Sequence, residues 1–129
     1  MILDSTFLVD YEREVRRSDS GPATRFLERH ANEPLMITFT IAGELSAGAS
    51  LGRTRSNWEE FIRPFNLLGY SADVGWQFGE IYRELKSVGT LIGTNDMWIA
   101  ATARVFHVPL VTRNAKDFAR VEGITVLSY

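Results

Sequence analysis

The sequence lacks the residues on which several kinds of site depend. It has no cysteine and two histidines, His30 and His107. The absence of thiols excludes disulfides, thiolate nucleophiles and zinc–thiolate sites, and two histidines are too few for zinc sites built on several of them. His107 follows the apolar run ATARVF, which favours a helix C-terminus over a ligand position. No apolar run approaches the ~20 residues that a membrane span needs.

An excess of charge of either sign is lacking as well. The chain carries 14 basic and 16 acidic residues, a net charge of −2, so composition alone does not indicate nucleic-acid binding. Only Lys86 and Lys116 are lysines; the other basic residues are arginines, which suit bidentate phosphate contacts, although a compositionally biased genome explains the same skew. The opening MILDSTFLVD lacks a secretory signal pattern. We expect a soluble, cytoplasmic, single domain over residues 1–129.

Short apolar runs alternate with longer amphipathic stretches, which is typical of a parallel sheet covered by helices. The predicted strands are residues 1–3, 35–39, 65–71, 109–112 and 124–129. The predicted helices are residues 5–14, 21–31, 40–52, 55–65, 72–87, 95–107 and 114–121. Gly52 is expected to end the third helix, Ser56 to cap the fourth, and Thr94 or Asn95 to cap the sixth. The chain is therefore predicted to be an α/β protein.

Four acids lie where predicted strands end or the following helices begin. Asp4 ends the first strand, Glu44 lies in the first turns after the second, Asp96 begins the helix that leads into PLVT, and Asp117 follows PLVT. In right-handed parallel units, strand ends and helix starts share one edge of the sheet, where open sheets bind their ligands. Each acid taken alone is better explained as a helix cap, a loop residue or a dipole acid than as part of a site. That explanation is weaker for four acids from four distant segments that all converge on one edge of the sheet.

A cluster of carboxylates favours a divalent metal. Two unit charges ~4 Å apart repel by roughly 4 kcal/mol at an effective dielectric near 20, so the acids must take up protons or bind a cation. Hard oxygen ligands without sulfur or histidine point to Mg²⁺ or Mn²⁺, and the chemistry that such an ion supports is phosphodiester hydrolysis. Arg113 is next to the predicted site and could meet a phosphate, or be a surface arginine in a turn. The polar residues expected to orient carboxylates or water are Ser5, Thr6, Thr112, Asn114 and also Asn95.

The chain resembles the PIN-domain ribonucleases, specifically the VapC-type toxins of bacterial toxin–antitoxin pairs. The matching segments are MILDSTFLVD, TIAGELSAG, IGTNDMWIAATA and PLVTRNAKDFARVEGITVLSY, which run from the first residue to the last. The resemblance implies a single three-layer α/β/α domain with a short, mostly parallel sheet, and a Mg²⁺- or Mn²⁺-dependent RNA endonuclease. It maps the family's acids onto Asp4, Glu44, Asp96 and Asp117, with Asn114 and Ser5 or Thr6 as polar support. It also implies a homodimer and a small antitoxin that covers the site.

Three other functions have different sequence requirements. A phosphoacceptor receiver domain needs an acid after the third strand and a lysine after the last, and FNLLGYS and ITVLSY provide neither. A haloacid-dehalogenase phosphatase needs a second Asp two residues after the first, where this chain has Thr6. A PIN-like module that binds RNA or protein without cleaving stays the alternative.

Aromatic side chains suggest an exposed apolar surface on each subunit that accepts the antitoxin. Two predicted helices carry Trp58, Phe61, Trp76 and Phe78, more aromatics than a small core needs. Large apolar patches on a protein surface usually mark a partner site, so we expect some of them to be exposed; burial of all four in the core is the equally simple alternative.

Overall fold

The computed structural model describes all 129 residues, which form strands and helices in the predicted order. The strands are β1 (Ile2–Leu3), β2 (Met36–Thr38), β3 (Asn66–Leu68), β4 (Leu110–Val111) and β5 (Val126–Leu127). The helices are α1 (Ser5–Arg16), α2 (Pro22–Arg29), α3 (Phe39–Ser46), α4 (Arg55–Ile62), α5 (Ala72–Ser87), α6 (Thr94–Phe106) and α7 (Ala115–Phe118). The strands are shorter than predicted, although the backbone amides of Asp4 and Thr112, just beyond strand ends, still donate to Val111 and Leu127.

The five strands form one parallel sheet in the order β3-β2-β1-β4-β5. The first strand lies in the centre, with Ile2 opposite both Met36 and Leu110. Since all strands run the same way, their carboxyl ends lie along one edge. The α/β prediction is confirmed, and this edge is the one on which the four acids were expected.

Helices cover both faces of the sheet. Ile2 and Leu3 are both completely buried, and successive strand residues point to opposite faces, so each face carries a helical layer. Helix α6 is the most deeply buried, with Ile99, Ala100 and Ala101 fully enclosed; its small residues let neighbouring elements approach closely. The result is the three-layer α/β/α arrangement that was expected.

The predicted end of α3 and the predicted cap of α4 are wrong. Helix α3 ends at Ser46 rather than Gly52, and a 3₁₀ turn at Leu51–Arg53 follows. Gly52 lies in that turn because a Cβ there would collide with the backbone carbonyl of Ser46. Helix α4 is capped by Thr54, whose hydroxyl accepts from the Asn57 amide, and not by Ser56.

The ends of α6 give a mixed result. Its N-cap is Gly93, and neither Thr94 nor Asn95 caps it, since both already lie inside the helix. The prediction for His107 is confirmed: it is the C-cap in a left-handed conformation, with φ of 52°. None of the helices has the length and apolar character needed to cross a membrane.

Candidate active site

Asp4 lies at the carboxyl end of the central strand and is held by hydroxyl groups. The side chain is only 3% exposed. Its Oδ1 accepts from the Ser5 amide at 2.8 Å, which caps α1. Its Oδ2 accepts from Thr112 Oγ1 at 2.7 Å and from Thr6 Oγ1 at 3.0 Å. Three donors fix the direction of this buried carboxylate. Ser5, Thr6 and Thr112, which were predicted to orient carboxylates, therefore all donate to Asp4.

Glu44 reaches the same edge from α3 and has one free oxygen. Asn95 Nδ2 donates to Glu44 Oε1 at 3.2 Å, which ties α3 to the first turn of α6. The other oxygen, Oε2, is buried and accepts no hydrogen bond. An ionised oxygen without a partner is costly in a protein interior. Glu44 thus has acceptor capacity that the protein itself does not use.

Asp117 lies on α7, after β4, and is oriented by Asn114. Asn114 Nδ2 donates to Asp117 Oδ2 at 2.9 Å, while the Asn114 backbone amide donates to Thr112 Oγ1 at the same distance. Asn114 is the N-cap residue of α7, but its side chain caps no backbone group. Its amide instead fixes the Asp117 carboxylate. Thr112 thereby links Asp4 to the turn that carries Asn114.

Asp96 is the acid of the cluster whose pKa is raised. Burial, followed by the charges of Asp4, Glu44 and Asp117, raises the pKa of Asp96 from the ordinary value of 3.8 to about 6. No group of the protein donates a hydrogen bond to its carboxylate. The four predicted acids are thus close enough to act on one another electrostatically.

The residues present fit a hard divalent cation. The cluster offers carboxylate and hydroxyl oxygens and no sulfur or imidazole, and Glu44 Oε2 is a buried acceptor without a partner. Arg120 is the nearby cation, with Nη2 3.7 Å from Asp117 Oδ1. No three acidic or histidine side chains are already arranged as a metal cage. Mutual repulsion opposes such an arrangement unless protons or a cation neutralise it.

Arg113 lies beside the cluster, as expected from its place after β4. Its backbone amide donates to Thr6 Oγ1 at 3.3 Å, and its guanidinium is 63% exposed. The side chain pairs with Asp10 Oδ2 at 2.9 Å. Asp10 also accepts from the Tyr129 hydroxyl at 2.8 Å. Neither Asp10 nor Tyr129 was singled out from the sequence; in the sequence, Asp10 is one more polar residue on a helix.

Comparison with known proteins agrees with this architecture. The family model described as PIN domain matches residues 1–124. Ribonuclease VapC2 of Haemophilus influenzae is 41% identical over 111 residues, 83% of each chain. Ribonuclease VapC1 of Methanocaldococcus jannaschii is 28% identical over 129 residues, 100% of this chain and 86% of the relative.

Solved structures show the same fold. VapBC2 from Rickettsia felis, solved with a DNA fragment from its promoter, superposes with a TM-score of 0.81 at 24% identity, over 99% of this chain and 97% of that one. A toxin–antitoxin complex from Klebsiella pneumoniae gives a TM-score of 0.73 at 27% identity, over 98% and 94%. The three-layer arrangement described above is therefore shared along nearly the whole chain.

Proposed function

The chain belongs to the PIN-domain family, and from that premise we propose that it is an endoribonuclease and the toxin of a toxin–antitoxin pair. The observation that carries the proposal is the convergence of Asp4, Glu44, Asp96 and Asp117 at one edge of the sheet, where three of them raise the pKa of the fourth. The curated relatives named above are ribonucleases, which supports RNA as the substrate.

We assign the four acids to one Mg²⁺ or Mn²⁺ site. When bound, such an ion acidifies water and neutralises charge on a phosphoryl group. The free oxygen of Glu44 supports the assignment, because a cation would supply the partner that this oxygen lacks.

Polar side chains of the protein orient the carboxylates of the site. Ser5, Thr6 and Thr112 hold the Asp4 carboxylate, and Asn95 and Asn114 hold Glu44 and Asp117. These three carboxylates are thereby oriented before substrate arrives, which reduces the reorganisation needed for phosphate hydrolysis. Asp96 carries a proton below about pH 6 in the metal-free protein, so binding of a cation would release that proton.

The proposal includes an antitoxin and a second copy of the chain as partners, and the cytoplasm as the place where cellular RNA is cut.

An apolar groove of about 570 Å³ between α1, α2 and α4 supports a protein partner; Tyr11, Val15, Leu27, Leu35 and Phe61 line it. The toxin–antitoxin complex from Klebsiella pneumoniae provides a precedent in a related fold. We propose this groove as the surface that takes the antitoxin.

Incubation of the purified protein with total cellular RNA, followed by end-mapping of the products, tests the activity. We expect discrete cleavage sites with Mg²⁺ or Mn²⁺ and none with a chelator. Replacing Asp4, Asp96 or Asp117 by Asn, or Glu44 by Gln, is expected to lower cleavage at least tenfold while the fold is kept. Glu28→Gln, an exposed acid on α2, is the matched control. If RNA is bound but not cut under any of these conditions, the non-cleaving alternative is correct.

A further inference from the structure

A second cleft opens beside the acidic site, between α1 and α3. It encloses about 420 Å³ and is lined by Ser5, Thr6 and Val9 from α1, by Glu44 from α3, and by Arg113. We call it the α1–α3 cleft. Glu44 belongs to the acid cluster, so the cleft is continuous with the candidate active site. Glu12 also lines it, but Ser50 Oγ donates to Glu12 at 3.0 Å and Arg16 lies 3.9 Å away, so its charge is partly compensated.

Arg113 is the cationic side chain of this cleft, and its position is fixed from two sides. Its backbone amide is held by Thr6, and its Nη1 donates to Asp10 Oδ2 at 2.9 Å. A guanidinium has five N–H donors, and only one of the Arg113 donors is used. The Arg113 side chain is 63% exposed, so its remaining N–H donors are free to bind a ligand.

Asp10 is itself held in place. Its side chain is only 15% exposed, and the Tyr129 hydroxyl donates to the same Oδ2 that receives Arg113. The Tyr129 ring packs edge-on against Phe7 in the core, with 4.6 Å between ring centroids. The chain of contacts therefore runs from the core through Tyr129 and Asp10 to the guanidinium.

We propose that Arg113 binds a backbone phosphate of single-stranded RNA in the α1–α3 cleft, and that Asp10 and Tyr129 are its positioning residues. The inference rests on the proposed function and extends it to the substrate contact. A polyanion that approaches four carboxylates meets repulsion, and a fixed guanidinium next to them offsets it. The hydroxyls of Ser5 and Thr6 line the same cleft and offer further donors. A purely structural ion pair between Arg113 and Asp10 is the competing explanation.

Binding measurements on the Asp96→Asn background test the phosphate contact without cleavage. A fluorescent single-stranded RNA oligonucleotide is titrated between 50 and 300 mM salt with the Arg113→Ala protein. We expect binding to weaken about 5- to 20-fold at low salt, and the slope of log affinity against log salt to become shallower by about 0.7, the loss of one phosphate contact on a single strand. Arg13→Ala is the matched control, because Arg13 pairs with the same Asp10 at 3.4 Å but does not line the cleft.

Cleavage kinetics of Tyr129→Phe in the otherwise native protein test the positioning role. The substitution removes the hydroxyl but keeps the ring against Phe7. We expect KM to rise at least threefold while kcat changes less than twofold. The salt slope of RNA binding, measured on the Asp96→Asn background, is expected to stay unchanged, because the charge of Arg113 is still present. A purely structural hydroxyl would lower the melting temperature and leave KM unaffected.

The outcomes separate the two proposals. If the parent protein cuts RNA and Arg113→Ala keeps the parent's affinity and salt slope, or if Arg13→Ala has the same effect, the phosphate contact is wrong and the nuclease proposal stands. An unchanged KM for Tyr129→Phe overturns the positioning role. If the parent neither cuts nor binds RNA, both proposals fall.

Discussion

At the scale of single residues, Asp96 differs from the other three acids of the cluster. Asp4, Glu44 and Asp117 each accept a hydrogen bond from a neighbouring side chain, whereas Asp96 accepts none. Burial and the three neighbouring charges therefore raise its pKa to about 6. The first turn of α6 thus carries an acid, Asp96, whose carboxylate accepts no hydrogen bond from the protein.

The raised pKa of Asp96 predicts a pH-dependent stability penalty in the metal-free protein. An unfolded Asp96 ionises above its ordinary pKa of 3.8, whereas the folded residue ionises near 6. The free energy of unfolding therefore falls as pH rises from about 4 to 6, and the full penalty is present above that range. The shift corresponds to about 3 kcal/mol, and because Asp96 is half-exposed, solvent screening leaves roughly 1–2 kcal/mol.

Thermal melts of Asp96→Asn with a chelator present, from pH 3.5 to 8, check this penalty. We expect the variant to melt about 3–8 °C above the parent at pH 8, and at the parent's temperature near pH 3.5. Glu122→Gln, an exposed acid whose carboxylate makes no hydrogen bond, should follow the parent at every pH. A variant that melts below the parent at pH 8 would show that Asp96 stabilises the fold as a dipole acid.

At the scale of elements, α2 depends on an acid from a different helix. Its N-cap, Gly21, provides no side-chain acceptor. Glu14 of α1 replaces it: Oε1 accepts from the Ala23 amide at 3.1 Å, and Oε2 accepts from the amide and hydroxyl of Thr24 at 2.7 Å each. Gly21 must stay small, because a Cβ there would collide with the Glu14 carboxylate. One side chain thus caps α2 and joins it to α1.

Removal of this cap is expected to destabilise the protein. Although burial acts to raise it, hydrogen bonds from Thr24 and Ala23 hold the pKa of Glu14 below its ordinary value of 4.5. Its contribution is therefore present above pH 4.5 and is lost as pH falls through the lowered pKa. We expect Glu14→Ala to cost about 1–2 kcal/mol at pH 7 in urea unfolding, and less at pH 3. Glu28→Ala, on an exposed position of α2, is the control; equal effects of both substitutions would refute the cap.

The sequence predicted the elements of the site better than their details. Asp4, Glu44, Asp96 and Asp117 could be placed on one edge because that inference needs only the order of parallel strands. The contact of Tyr129 with Asp10 joins residues 119 apart in sequence, and depends on β5 lying beside β4, which no local pattern signals. The wrong boundary at Gly52 has a similar cause, because the close approach that requires this glycine is visible only once the chain is folded.

At the scale of the whole molecule, apolar side chains are exposed on the edge strand β3, just after it, and on α5, where Trp76 lies beside Val105 of α6. Of the four aromatics considered as a partner surface, only Trp76 is exposed; Trp58, Phe61 and Phe78 are half-buried. Leu67 on the edge strand β3 and Tyr70 after it are also exposed, and Tyr70 packs over Gly75 at the start of α5. We call Leu67, Tyr70 and Trp76 the β3–α5 patch. An exposed strand edge beside apolar side chains favours association with another chain.

We predict that the β3–α5 patch joins two copies of the protein. Multi-angle light scattering at tens of micromolar should give the mass of a dimer for the parent, and Trp76→Glu should shift it toward the 14.6 kDa of a single chain. Val88→Glu is the control, because Val88 is equally exposed but lies about 18 Å further along α5. A parent that stays monomeric at high concentration would refute the homodimer.

The central claim, that four carboxylates from four segments form one metal site, is tested most directly by calorimetric titration with Mn²⁺ at pH 6 in two buffers of different ionisation enthalpy. We predict that the parent binds Mn²⁺ and releases protons, as Asp96 gives up its proton. Asp4→Asn, Glu44→Gln, Asp96→Asn and Asp117→Asn should each weaken binding at least tenfold, and Asp96→Asn should abolish most of the proton release. Glu80→Gln, an acid paired with Arg83 on α5, should bind like the parent. Parent-like Mn²⁺ binding in the four variants, or no binding by the parent, would contradict a shared metal site.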